Sequence, residues 1–190
     1  MSTFAEKLAA KAAARPTIDV QILLAAELVA EKQRLEAIIE AGDSDPRLGS
    51  VSPVDEAQKA LDELEASAGD ALITLRFTQL PGEEWASLTS KLPPRPGVAI
   101  DESIGYNYDK ATISAAKFQD ASGRAYGVRL EGDVEEVVTP DEWVALFDAL
   151  SGYEVTQIRN AVWGLNEYLP KKQVEAMGKL LGAVARSEKN

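Results

Sequence analysis

Thr17-Ile18-Asp19-Val20-Gln21-Ile22-Leu23 places Ile18, Val20 and Ile22 on one side and Asp19 and Gln21 on the other, a period of two that predicts a half-buried strand. The rhythm then changes. Leu24, Leu28, Leu35 and Ile38 keep a three–four spacing, interrupted by Glu31 and widened by Ile39, so 25–41 reads as an amphipathic helix. Gly42 is placed to end it in the left-handed conformation. A turn-rich connection, Asp43 to Ser52, leads to a second helix start, with Ser52 as N-cap, Pro53 in the first helical position and Asp55 three residues after the cap. Val54, Ala57, Leu61, Leu64 and Ala68 repeat along that helix, and Gly69 is expected to stop it. Ala71 to Phe77 alternates again, with Leu75 and Phe77 opposite Thr74 and Arg76. A helical hairpin with a strand on each side implies that the strands pair and the hairpin projects as an arm.

Working outward, residues 3–15 predict a short Ala-rich helix whose large apolar residues are Phe4 and Leu8, one that frays unless a partner covers it. Downstream, Glu83 to Leu92 reads as a helix presenting Trp85, Leu88 and Leu92. Pro93 to Asp109 shows no period and is either a functional loop or an ordered segment. Ala111 to Phe118 reads as a helix or a buried strand, and 124–130 with 135–138 as a hairpin turning at Glu131-Gly132-Asp133. Thr139-Pro140-Asp141-Glu142 is a capping box opening a helix that buries Trp143, Leu146, Phe147 and Leu150. Val155, Ile158, Val162, Leu165 and Leu169 mark the next helix; Val174, Met177, Leu181 and Val184 mark the last, weakened by Gly178 and Gly182. The fold class is α+β and predominantly helical: an N-terminal helical hairpin flanked by two short strands, then a mainly α C-terminal domain. The expected organisation is a flexible or helical arm at 1–16, a strand–hairpin–strand module at 17–78, and a mainly α domain at 79–190 with a basic last helix.

The 190 residues contain no cysteine and no histidine, which excludes disulfides, thiolate or imidazole metal sites and catalysis built on histidine. Formal net charge is −11, and such a chain repels nucleic-acid phosphates. The charge is uneven: 7 basic against 14 acidic residues in 1–70, 8 against 15 in 71–168, and 5 against 2 in 169–190. That basic end reads as a solvated helix or as a contact for an anionic partner. The first fifteen residues lack the apolar stretch of a secretory signal, and no apolar run approaches the roughly 18–20 residues of a membrane span.

Little catalytic material is present. There is no GxSxG elbow, phosphate-binding loop or GxGxxG turn. The carboxylate pairs Glu83/Glu84 and Asp141/Glu142 sit at helix starts, where negative charge stabilises the helix by itself; the same signal accounts for the echo between residues 83–88 and 141–146. Asp43-Ser44-Asp45 and Glu131-Gly132-Asp133 are too short for a calcium loop. Pro93-Pro94-Arg95-Pro96 reads as a rigid turn, or less readily as a polyproline ligand. No catalytic, cofactor or metal residue is assigned. Candidate partner-contact residues are Leu28, Leu35, Ile39, Leu61 and Leu64 on the hairpin stripes, and Trp85, Pro94, Arg95, Tyr106, Tyr108 and Trp163 beyond it.

An ordered series of residues resembles the tail assembly chaperones of long-tailed phages that infect actinobacteria. It runs Val20-Gln21-Ile22-Leu23-Leu24, the charged hairpin, Leu75-Arg76-Phe77, Trp85 with Leu88, Pro93-Pro94-Arg95, Gly105-Tyr106-Asn107, Asp141-Glu142-Trp143 with Leu146, and Leu165-Asn166. The likeness spans nearly the whole chain. The chain departs from the family pattern in having Leu92 before Pro93, where His is common, and Tyr108-Asp109-Lys110 after Asn107, where a Phe-Pro-Pro segment is common. The resemblance implies a non-enzymatic protein of the host cytoplasm that binds the tape measure protein, helps recruit tail tube subunits and is absent from the finished virion. It also implies self-association or a frameshifted longer form as a further partner, with no membrane or nucleic-acid role. The alternative is a minor structural component retained in the particle.

Overall fold

The computed structural model describes residues 2–42 and 52–187. The acidic turn at 43–45 and the rest of the connection up to residue 51 lie outside the described residues, as do the side chains of Ala68, Leu181 and Val184. The chain divides into two compact units, one formed by residues 1–20 with 75–190 and the other by 21–74. The fold is predominantly helical with a small four-stranded antiparallel sheet.

Strands β1 (Thr17–Leu23) and β2 (Leu72–Thr78) lie side by side in the sheet order β1-β2-β3-β4. Their alternation is reproduced in burial: Val20, Ile22, Leu75 and Phe77 are buried, while Asp19 and Gln21 are exposed. Backbone bonds from Leu24 N–H to the Ala71 carbonyl (2.8 Å) and from Gln79 N–H to the Pro16 carbonyl (2.9 Å) fix the antiparallel pairing.

Within 21–74, α2 (Ala26–Ala41) and α3 (Pro53–Ala71) pack through Leu35, Ala57 and Leu61, flanked by Ile38, Ile39 and Leu64. Ser52 caps α3 through its hydroxyl, which accepts from the Val54 and Asp55 N–H groups. Two termination signals act differently from expectation. Gly42 ends α2 with φ 71° and ψ 175°, a conformation open essentially to glycine but outside the left-handed helical region. Gly69 does not stop α3, which continues to Ala71 and passes directly into β2. The Ala71 carbonyl is taken by the Leu24 N–H, so strand pairing does the work of a cap there.

In the other unit, α1 (Phe4–Ala13) is held by a reciprocal capping box between Thr3 and Glu6 yet buries none of its residues. After β2 come α4 (Gly82–Ser90), α5 (Ala99–Ile104) and α6 (Tyr108–Ala116). The segment without a legible period therefore contains a helix, and the helix-or-strand ambiguity at 111–118 resolves to helix. Strands β3 (Gly127–Glu131) and β4 (Val134–Val137) form a hairpin pairing Val128 with Val137 and Glu131 with Val134, turning through Gly132 at φ 60°. Helix α7 (Pro140–Ala149) starts at the Thr139/Glu142 capping box and buries Trp143. Helix α8 (Gly152–Trp163) leads through a π-helical turn, Gly164–Tyr168, straight into α9 (Leu169–Ser187), so the last two predicted helices are one continuous run.

Candidate functional site

The aperiodic stretch after α4 is ordered by a buried charge. Asp101 has no exposed surface. Its Oδ2 accepts from Arg95 Nε (2.7 Å) and the Arg95 backbone N–H (3.1 Å), and its Oδ1 from Arg95 Nη2 (3.0 Å) and the Tyr108 backbone N–H (3.1 Å). The Arg95 hydrogen bonds, reinforced by those backbone donors, hold the Asp101 carboxyl well below the usual carboxylate range and raise Arg95 in turn. Arg95 also contacts Asp109 at 2.8 Å, and Asp109 contacts Arg159 at 2.8 Å. Asn107, itself buried, caps α6 by accepting from the Lys110 N–H. The Pro-Pro-Arg and Gly-Tyr-Asn-Tyr segments are thus two sides of one ion-paired closure.

The π-turn organises the next layer. Leu169 N–H bonds back to the Gly164 carbonyl, five residues earlier, and Pro170 has no N–H to offer. The Leu165 carbonyl is left without a helical donor, and Gln79 Nε2 supplies one at 2.8 Å. The Leu80 N–H donates to Asn166 Oδ1 (3.0 Å), while Asn166 Nδ2 donates to the Val162 carbonyl (2.9 Å). The Trp85 indole N–H donates to Glu167 Oε1 (2.7 Å). Trp85 meets Tyr106 edge to face at 5.8 Å, and burial, with the nearby Glu167 charge, pushes the Tyr106 hydroxyl upward.

Beside this layer lies a groove of about 680 Å³, lined among others by Leu8, Lys11 and Arg15 at the N-terminal end, by Val174 and Met177 from α9, and by Leu80. Leu8 is 50% exposed, Val174 74% and Met177 55%, and Phe4 at the start of α1 is 77% exposed. Val174 and Met177, the two residues of the predicted last-helix stripe whose side chains are described, are uncovered. A smaller cavity of about 430 Å³ is lined by Tyr106, Trp163, Tyr168 and the lysines 171 and 172.

The candidate contact residues separate by environment. Leu35 and Leu61 are buried and Leu28, Ile39 and Leu64 half-buried in the α2–α3 unit. Trp85, Tyr106 and Tyr108 are buried, Arg95 and Trp163 half-buried, and Pro94 exposed. Tyr108 meets the Trp163 ring at 6.3 Å and donates its hydroxyl hydrogen to Asn160 Oδ1 at 2.8 Å. The structure thus joins Trp85 with Tyr106, and Tyr108 with Trp163, but keeps the hairpin leucines in a separate core. Leu8 carries the signal noted in the sequence, an N-terminal helix that needs a partner to cover it, but Lys11 and Arg15 have none beyond their place on that same helix and its end.

Among the described residues there is no cluster of three or more potential metal ligands and no helix long and apolar enough to cross a membrane. No protein-family model matches the chain, and neither a curated protein nor a solved structure is significantly similar to it.

Proposed function

We propose that this chain is a non-enzymatic tail assembly chaperone of a long-tailed phage, which holds the tape measure protein and helps recruit tail tube subunits in the host cytoplasm. The observation that carries the reading is the uncovered apolar surface on the first and last described helices, at Phe4, Leu8, Val174 and Met177. Of these, Leu8, Val174 and Met177 line one groove, and exposed apolar surface gathered in one place is a mark of protein–protein contact. A net charge of −11 would keep a complex with a sticky client dispersed.

The residues of the resembling series support the same reading. Arg95, Asn107 and Asn166 spend their polar atoms on the protein's own carboxylate and backbone groups, as structural residues do. Co-expression is the test: the tape measure protein should stay in the soluble fraction with this chain and be captured by it, and should aggregate without it. Purified particles should lack the chain. Finding it in virions at the stoichiometry of a tail protein would favour a retained structural component, and failure to capture the tape measure protein would reject the chaperone.

A further inference from the structure

The groove beside α1 and α9 differs in charge from the rest of the molecule. Among the described residues, Lys11 and Arg15 are its only charged lining residues, in a chain of net charge −11. Among the described arginines elsewhere, Arg34 pairs with Glu31, Arg76 with Asp19 and Glu135, Arg95 with Asp101 and Asp109, Arg129 with Glu136 and Arg159 with Asp109, while Arg124 lies over the Tyr126 ring. Neither Lys11 nor Arg15 pairs with a carboxylate among the described residues. Lys11 and Arg15 thus stand, without a carboxylate partner among the described residues, beside the exposed apolar side chains of Leu8, Val174 and Met177.

We infer that this groove docks an acidic amphipathic helix of a partner protein. Its apolar stripe lies on Leu8, Val174 and Met177, and its carboxylates face Lys11 and Arg15. Val174 and Met177 present their side chains at the three-residue spacing that a partner helix meets ridge to groove. Helix α1 has ten residues, none buried, and a free helix that short is marginal in water, so an occupant would also secure its own docking wall. A second copy of this chain is a poor occupant. Its own acidic amphipathic helix, α3, already has Ala57 and Leu61 buried against α2.

The inference rests on reading the chain as a binding protein, and it specifies that the segment of client it holds is acidic and helical. The test uses the full chain and a labelled synthetic peptide of about 18 residues, or five helical turns, with leucines at three–four spacing and glutamates elsewhere, against the same peptide with lysine for glutamate. Fluorescence anisotropy should show the acidic peptide binding at least about tenfold more tightly, and Lys11→Glu/Arg15→Glu abolishing that preference. Met177→Asp should weaken the acidic peptide by a similar factor. All three positions are on or near the surface, and unchanged circular dichroism would verify the fold of each variant. Equal binding of the two peptides, or an unaltered preference in Lys11→Glu/Arg15→Glu, overturns the proposal. So does a dimer that Met177→Asp dissociates while the peptide fails to bind, because a second copy then holds the face. If the tape measure protein is captured equally by the wild type and by Lys11→Glu/Arg15→Glu, the groove assignment falls and the chaperone reading stands. If the acidic peptide binds as expected but the tape measure protein is not captured, the groove stands and the chaperone reading falls.

Discussion

Asp101 and Arg95 form a two-point ion pair, Nε to Oδ2 at 2.7 Å and Nη2 to Oδ1 at 3.0 Å, with the carboxylate fully buried and the guanidinium reaching on to Asp109. Six residues apart in sequence, they close the loop that delivers Tyr106, Asn107 and Tyr108 to the interior. The pair joins a proline-rich turn to α5, and Asp101 Oδ1 carries the link on to the start of α6 by accepting from the Tyr108 N–H.

The pair has a pH signature. An unfolded Asp titrates near pH 4 (roughly 3.9), whereas Asp101 in the fold is held lower, first by the Arg95 hydrogen bonds. In the window between those values the unfolded state binds more protons, so the stabilisation is complete above about pH 4 and is lost as pH falls toward the folded value. Asp19, lowered by its hydrogen bond to Arg76, acts in the same direction. Thermal melts from pH 7 to 2 should show a steep acid limb, and Asp101→Asn should start from a lower melting temperature and follow a shallower one. An unchanged slope in Asp101→Asn would locate the acid sensitivity elsewhere.

Near neutrality the opposite holds. With no histidine and no cysteine, no side chain with an ordinary pKa titrates between about pH 6 and 8. Melting temperature across that range should be flat at constant ionic strength, and a pronounced step would reveal a strongly shifted group.

Trp143 is 3% exposed at the first turn of α7 and stacks at a tilt near Phe147, ring centroids 5.9 Å apart. Trp143→Ala should cost about 3–5 kcal/mol in denaturant unfolding, the usual range for emptying a large aromatic site. A loss below about 1 kcal/mol would mean that the site collapses around the smaller residue.

Gly127 admits no side chain. A Cβ at that position would stand 2.0 Å from the Ala116 carbonyl oxygen and 3.2 Å from the Phe77 ring, where the first residue of β3 passes the end of α6. Gly127→Ala should destabilise by at least about 2 kcal/mol, toward the upper part of the usual overpacking range of roughly 1–3, because the clash is with backbone. A near-neutral melt would show that strand and helix can separate locally.

The hairpin and the remainder should also separate experimentally. Leu24 N–H meets the Ala71 carbonyl at 2.8 Å, so a short Gly-Ser turn can replace residues 25–70 without stretching the strands. The shortened chain should retain a cooperative melt, since residues 75–190 bury Phe77, Trp85, Tyr108, Ile158 and Leu165. A broad, non-cooperative transition would make the hairpin part of a single folding unit.

What the sequence determined by itself were the elements whose signal is local. The alternation of Ile18, Val20 and Ile22, the three–four spacings that put Leu35 and Ile38 on one stripe of α2 and Ala57, Leu61 and Leu64 on one stripe of α3, the Ser52 cap and the Thr139/Glu142 box all act through neighbours along the chain, and each is found as read. Only the tertiary structure decided matters that depend on distant partners. Helix α3 runs past Gly69 to Ala71, whose carbonyl accepts from the Leu24 N–H just beyond β1, a partner some fifty residues earlier. The aperiodic 93–109 stretch is ordered by a buried ion pair, which carries no hydrophobic rhythm to detect. Val174 and Met177 keep the spacing of a core stripe, yet they are uncovered: periodicity states which side of a helix is apolar, and only packing states whether anything lies against it.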